Sequence, residues 1–255
     1  MFDARGAVVS FVPKFDNGPH SRAQIGFLAV ANADLVERDM FMMRPEGVGV
    51  HFSRVPMGTT CSVENLASME GELHAALATL MPAREDTHVI TFNCTSASFV
   101  IGDTKIRDII QTARPRVKAT TMVTSVVSAL LALDARRVAM GTAYTDDINR
   151  MEQDFLQDHG FDCVSAEGLG LLTDAEMNRV TPESLLDFAA YVDRPDAEAV
   201  FLSCGALRSV EILEAAEARL GKPVICSNQA SMWECLRLAG VDDRIPGFGC
   251  LLTSV

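Results

Sequence analysis

Two cysteines in this chain have matching surroundings, and opposed thiols are a way to move a proton across a carbon. Cys94 follows the apolar run His88–Phe92 and opens Cys94-Thr95-Ser96-Ala97-Ser98. Cys204 follows Ala199–Leu202 and opens Cys204-Gly205-Ala206. A thiol between a strand and a helix meets unpaired backbone N–H groups and the positive end of the helix dipole. That setting is expected to lower its pKa and to bind anions. Thr95 and Ser96 are placed to cap the helix or to donate hydroxyls to a substrate carboxylate, and Gly205 permits close backbone approach. A free cysteine taken singly is read as a small buried hydrophobe, which is the reading for Cys61, Cys163, Cys226, Cys235 and Cys250. Two cysteines at equivalent positions favour catalysis instead, because they supply a matched acid and base.

Other groups near these segments could hold a substrate. Tyr144 ends an apolar stretch, where its phenol either donates to a carboxylate or covers apolar surface. Asn32 and Asp34 follow the first strand and either contact substrate or cap the next helix. Glu37, Arg38 and Asp39 read as a surface or inter-lobe charge cluster, and Trp233 as packing on an amphipathic helix. His51, His88 and His159 share no partner spacing, so a histidine-based triad is excluded. The cysteines form no CxxC and no Cys/His pair at metal spacing. The segment Gly168–Leu172 lacks the strand–glycine loop–helix context of a dinucleotide site. Neither metal nor cofactor is expected.

The elements that position these residues are legible as alternating apolar runs and helical stretches, the pattern of a parallel α/β sheet. Strands are expected at Gln24–Val30, Val48–Ser53, His88–Phe92, Arg137–Gly141, Ala199–Leu202 and Pro223–Cys226. Helices are expected at Asn65–Leu80, Val123–Leu133, Asp146–His159, Pro182–Val192, Val210–Leu220 and Ala230–Leu238. Gly160, Gly221 and Gly240 stand where helices end. The segment 87–106 resembles 197–213, with Cys204 lying 110 residues after Cys94, and a similar offset relates 23–39 to 136–154. This weak internal repeat predicts two pseudo-symmetric α/β lobes, each a parallel sheet flanked by helices. Ligands of such sheets bind beyond the carboxyl ends of the strands, so the active site is expected between the lobes. The first lobe is read as 23–117 plus 229–255, the second as 118–228, and 1–22 as an N-terminal arm without an assigned role.

Bulk composition narrows the partners. The 255 residues carry 22 Lys plus Arg against 34 Asp plus Glu, a net charge of −12, which argues against nucleic acid. It leaves a small anion open, since a few oriented N–H groups set a local positive potential. No apolar run approaches the roughly 18 residues that span a bilayer, and no signal peptide is read. Seven scattered cysteines point to free thiols in a reducing cytoplasm. Homo-oligomerisation stays open.

At these residues the sequence resembles the aspartate/glutamate racemase superfamily, in its maleate isomerase and arylmalonate decarboxylase branch. The likeness runs over roughly 23–253 and is strongest to ectoine-utilisation EutA-type proteins. It rests on VERDMFMMRPEGVGVHFSRV, CTSASFVIGD, GTAYTDDINR, LSCGALR and SNQASMWECLRLAG. The resemblance implies a two-lobe fold whose last segment returns to the first lobe. It implies Cys94 and Cys204 as the catalytic pair, with Thr95, Ser96, Tyr144 and the Gly205 amide at carboxylate-binding positions. The decarboxylases keep only the second cysteine, so Cys94 speaks against decarboxylation. Maleate isomerases carry asparagines where Ala33, beside Asn32, and Asp174 stand here, which puts maleate itself in doubt. The expected function is a cofactor-independent isomerase or racemase of a small carboxylic acid. The alternatives are a decarboxylase or a catalytically silent binding relative.

Overall fold

The computed structural model of the chain describes residues 12–254. Part of the expected arm, 1–11, lies outside the described residues. Residues 12–22 form no strand or helix, and Arg22 pairs with Asp243 near the other end of the chain.

One or two helices separate each strand from the next. The first half runs β1 (Ala23–Val30), α1 (Val36–Met43), β2 (Val48–Val55), α2 (Val63–Ser68), α3 (Leu73–Thr79), β3 (Val89–Asn93), α4 (Thr95–Ile101), α5 (Asp103–Ala113), β4 (Lys118–Thr121) and α6 (Met122–Ala132). The second runs β5 (Arg137–Thr142), α7 (Asp146–Asp158), β6 (Asp162–Gly168), α8 (Asp174–Met177), α9 (Pro182–Val192), β7 (Ala199–Ser203), α10 (Leu213–Leu220), β8 (Val224–Cys226) and α11 (Ser227–Ala239). The strands form two four-stranded sheets, ordered β2-β1-β3-β4 and β6-β5-β7-β8. Every pairing is parallel. Adding four to each strand number of the first sheet gives the second, so the internal repeat is a repeat of topology. In each sheet the order reverses beside the first strand, at β1/β3 and β5/β7, which is where such sheets open a crevice.

Hydrophobic burial accounts for these choices. All residues of β1, β3 and β7 are buried, as expected for strands covered on both faces. α11 is buried along ten consecutive residues, Ser227–Leu236, which fits a helix with apolar or satisfied neighbours all round. It packs on α6, β3, α1 and β1. Its Glu234 is satisfied by three hydroxyls, from Thr120 and Ser125 at 2.6 Å and Ser128 at 2.7 Å. That network ties α11 to β4 and α6.

Some expected boundaries shift. β4 pairs with β3, and α6 packs on α4, β4 and β3, so the first lobe continues past the boundary drawn at 117/118. The Lys-Ala-Thr-Thr of β4 offers no apolar run to mark it as a strand. β6 was likewise unforeseen because it is an edge strand with a half-buried face. The single helix expected over Asn65–Leu80 is interrupted by a 3-10 turn at Met69–Glu72. No helix among the described residues is long and apolar enough to cross a membrane.

Candidate active site

The carboxyl ends of β3 and β7 face one pocket, and Cys94 and Cys204, both free, line it together. The first lobe adds Val30, Ala33, Cys61, Asn93, Thr95 and Ser96; the second adds Tyr144, Asp174, Gly205 and Ala206. Among the described residues, no lysine, arginine or histidine lines it. The cavity volume is ≈ 20 Å³, room for about one water.

The two thiols are held differently. Cys94 is the N-cap of α4, in extended backbone (φ −143°), and its sulfur lies 3.7 Å from Ser96 Oγ. The expected repeat of this arrangement at Cys204 is not found. Cys204 has φ +123° and enters a turn, with a 3-10 segment only from Arg208. A non-glycine residue there costs about 1–3 kcal/mol of strain. The Ala206 N–H donates to the Cys204 sulfur at 3.3 Å, and the thiol points at Met177 Sδ, 3.6 Å away.

The expectation of depressed thiol pKa values is overturned. Burial, the largest influence, pushes Cys94 to about 11, against the favourable Ala97 amide and Ser96 hydroxyl. Burial and then the Asp174 carboxylate push Cys204 to about 12, against the Ala206 amide and the Tyr144 hydroxyl. Lost hydration outweighs the N–H groups that the spacing advertised. Tyr144 is buried and its pKa is raised, burial first and Cys204 second.

A clasp from α11 holds the Cys204 turn. Ser227 Oγ accepts the Cys204 N–H at 3.1 Å and the Thr95 hydroxyl at 2.9 Å. Asn228 Nδ2 donates to the Gly205 carbonyl at 2.9 Å and to Asp39 Oδ2 at 2.8 Å. Asp39, read from sequence as part of a surface or inter-lobe charge cluster, is therefore buried, with burial raising its pKa to about 6 against the Asn228 hydrogen bond. Arg38 does reach across the lobes, to Glu211 at 2.6 Å, whereas Glu37 pairs with Arg54 of the same lobe.

Asn32 does not belong to the pocket. It is exposed, and its Nδ2 donates to the Gly58 carbonyl at 3.1 Å; the turn after β1 points Ala33 inward instead. Thr95 is at the pocket, but its hydroxyl is committed to Ser227. Cys61, read as packing, lines the pocket, and its N–H donates to the Leu172 carbonyl at 2.8 Å across the lobes. Sequence reading also missed Glu152, which accepts the Ser203 hydroxyl at 2.7 Å, with burial raising its pKa to about 8 against that bond. Nothing in its spacing distinguishes it from other helix glutamates. The three histidines read earlier lie elsewhere: His51 meets Gln24 at 2.7 Å, His88 accepts the Gln24 N–H, and His159 meets the Phe155 carbonyl.

Two pseudo-symmetric parallel sheets with a cysteine at each matching strand end define a two-lobe α/β class whose site lies between the lobes. The chain belongs to the arylmalonate decarboxylase family, whose profile matches residues 57–252. It falls in the branch of the aspartate/glutamate racemase-like superfamily that also holds maleate isomerases. It is 38% identical over 135 residues to arylmalonate decarboxylase of Bordetella bronchiseptica, a match covering 52% of this chain and 56% of that protein. The matched stretch thus spans little more than half of that relative. Maleate isomerase of Nocardia farcinica is 25% identical over 241 residues, covering 90% of this chain and 95% of that one. Among solved structures, maleate isomerase of Pseudomonas putida S16 with maleate superposes with a TM-score of 0.84 at 22% identity, covering 91% and 98% of the two chains. These relatives are enzymes, isomerases of maleate and a decarboxylase of arylmalonates.

Proposed function

We propose that this chain is a cofactor-independent isomerase or racemase of a small carboxylic acid, with Cys94 and Cys204 as its reactive pair. The observation that carries the reading is the meeting of both free thiols, from equivalent strand ends, in one pocket that no basic side chain lines among the described residues. Ser96 and the Gly205 amide are proposed to hold the substrate carboxylate, and Tyr144 to act on Cys204 and the charge that develops beside it.

On an unsaturated acid, one thiolate sulfur bonds to an alkene carbon, and the π electrons move onto the carboxylate-conjugated carbon. The opposite thiol gives its proton there, rotation follows about the new single bond, and the thiolate opposite takes a proton back as the C–S bond breaks. On a carbon acid, one thiolate removes the α-proton and the thiol opposite returns one to the other face. A covalent succinylcysteine intermediate is described for the maleate isomerase of Nocardia farcinica, which supports the first course. The amino-acid-derived acids implied by the likeness to ectoine-utilisation proteins fit the second.

Decarboxylation is the second reading, supported by the family description and the 38% relative. Cys94→Ala and Cys204→Ala decide between them, assayed for isomerisation, α-proton exchange in deuterated water and carbon dioxide release. Each substitution is expected to abolish isomerisation or racemisation, and the double variant to lose little more, because the pair acts as one unit. Carbon dioxide release with full turnover in Cys94→Ala replaces the isomerase reading with the decarboxylase one. Binding without turnover across all three assays identifies a silent relative.

A further inference from the structure

Asp174 opens α8 and lines the pocket with both reactive thiols. Its side chain is 8% exposed, and Oδ2 is buried without a hydrogen-bond partner. Buried polar atoms in folded proteins are nearly all satisfied, and an orphaned carboxylate oxygen is among the costliest exceptions. The neighbouring charges offer no relief: Asp34 lies close enough to disfavour Asp174 further, and its own carboxylate is taken up by Asn178 Nδ2 at 2.7 Å. The thiols of Cys61, Cys94 and Cys204 also feel the Asp174 charge, and Tyr144 shares the pocket; none of these groups is cationic. Among the described residues, the pocket lining contains no positive side chain.

We infer that Asp174 determines which acids enter: its free oxygen takes an N–H donor, an ammonium or amide group, at the far end of the substrate from its carboxylate. This rests on the proposed carboxylate site at Ser96 and the Gly205 amide, and it sharpens that reading to nitrogen-bearing monocarboxylates. A second carboxylate in the same place meets like charge in a water-poor cavity, where such juxtaposition is strongly unfavourable.

Succinate and succinamate test this directly, because they differ only in O⁻ against NH₂ at one end. Calorimetric binding at mildly alkaline pH to the intact protein is expected to favour succinamate by about ten-fold or more. Asp174→Asn, which keeps the shape and removes the charge, is expected to erase or invert that preference. Equal or tighter binding of succinate by the unsubstituted protein overturns the inference, as does a preference unchanged in the Asn variant. The comparison in the unsubstituted protein stands even if the variant fails to fold. Binding needs no turnover, so the result is independent of what Cys94→Ala and Cys204→Ala do to the chemistry.

Discussion

Cys94 and Cys204 lie where lost hydration works against ionisation, with pKa values raised to about 11 and about 12. Only thiolates react readily with alkylating agents. Site-resolved mass spectrometry with iodoacetamide is therefore expected to show both sulfurs reacting about a hundred-fold or more slowly near neutral pH than a free cysteine. Their rates should keep climbing past the free-thiol pKa of about 8.5. A plateau near pH 8 contradicts the assigned environment. Cys204 permits a second prediction, from its φ of +123°. Alanine keeps the strain whereas glycine relieves it, so Cys204→Gly should unfold at a higher temperature than Cys204→Ala, by about 1 kcal/mol in stability. At this scale the paired cysteines were legible because a repeat displays equivalence. Asn32 was misplaced because one residue of turn decides which neighbour faces inward. Cys61 was misread because burial within a pocket and burial within a core give the same local sequence.

Helix α11 acts on the site through its first turn. Asn228 joins the Gly205 carbonyl of the second lobe to Asp39 of α1 in the first, and no catalytic atom need touch it. Asn228→Ala should lower kcat by about ten- to a hundred-fold, as misplacing a reacting group does, with KM changed far less. An equal loss in both would mark a binding role instead. On α7, Glu152 holds its proton to about 8 in the fold, against an ordinary value of 4.5. The native state thus binds the extra proton, and this contribution is fully present below pH 4.5 and lost as pH rises through about 8. Glu152→Gln keeps a partner for Ser203 and removes the titration. Its melting temperature should gain on the unsubstituted protein as pH rises from about 5 to 8; a constant difference across that range refutes the assignment. Most helices and strands with full apolar runs or clear periodicity were readable within three residues, and Pro182–Val192 at both ends. Edge strands β4 and β6 were not, since half-exposed pairing needs no apolar run.

Across the whole molecule, the lobes are joined by Cys61 to Leu172, Asp34 to Asn178 and Arg38 to Glu211, and of these residues Cys61 lines the pocket. A cavity of ≈ 20 Å³ holds about one water, and binding of an organic acid is expected to part the Cys61 contact at its wall. The Cys61 amide should therefore exchange hydrogen faster in the free protein than with a bound acid; equal protection in both states argues that entry uses another route. The two-lobe plan was evident from the repeat at the two cysteines, but which lobe owns β4 and α6 depends on packing that no local pattern records. The shared strand order also has a consequence for symmetry. A pocket between two identical subunits related by a two-fold axis must present the same groups from both sides. Joining the halves in one chain removes that obligation. Here one cysteine stands at a helix N-cap in relaxed backbone while its counterpart sits on a strained turn, and Tyr144 and Asp174 enter from one side only. Covalent linkage leaves the two walls free to differ, so the two faces of a bound molecule meet different groups.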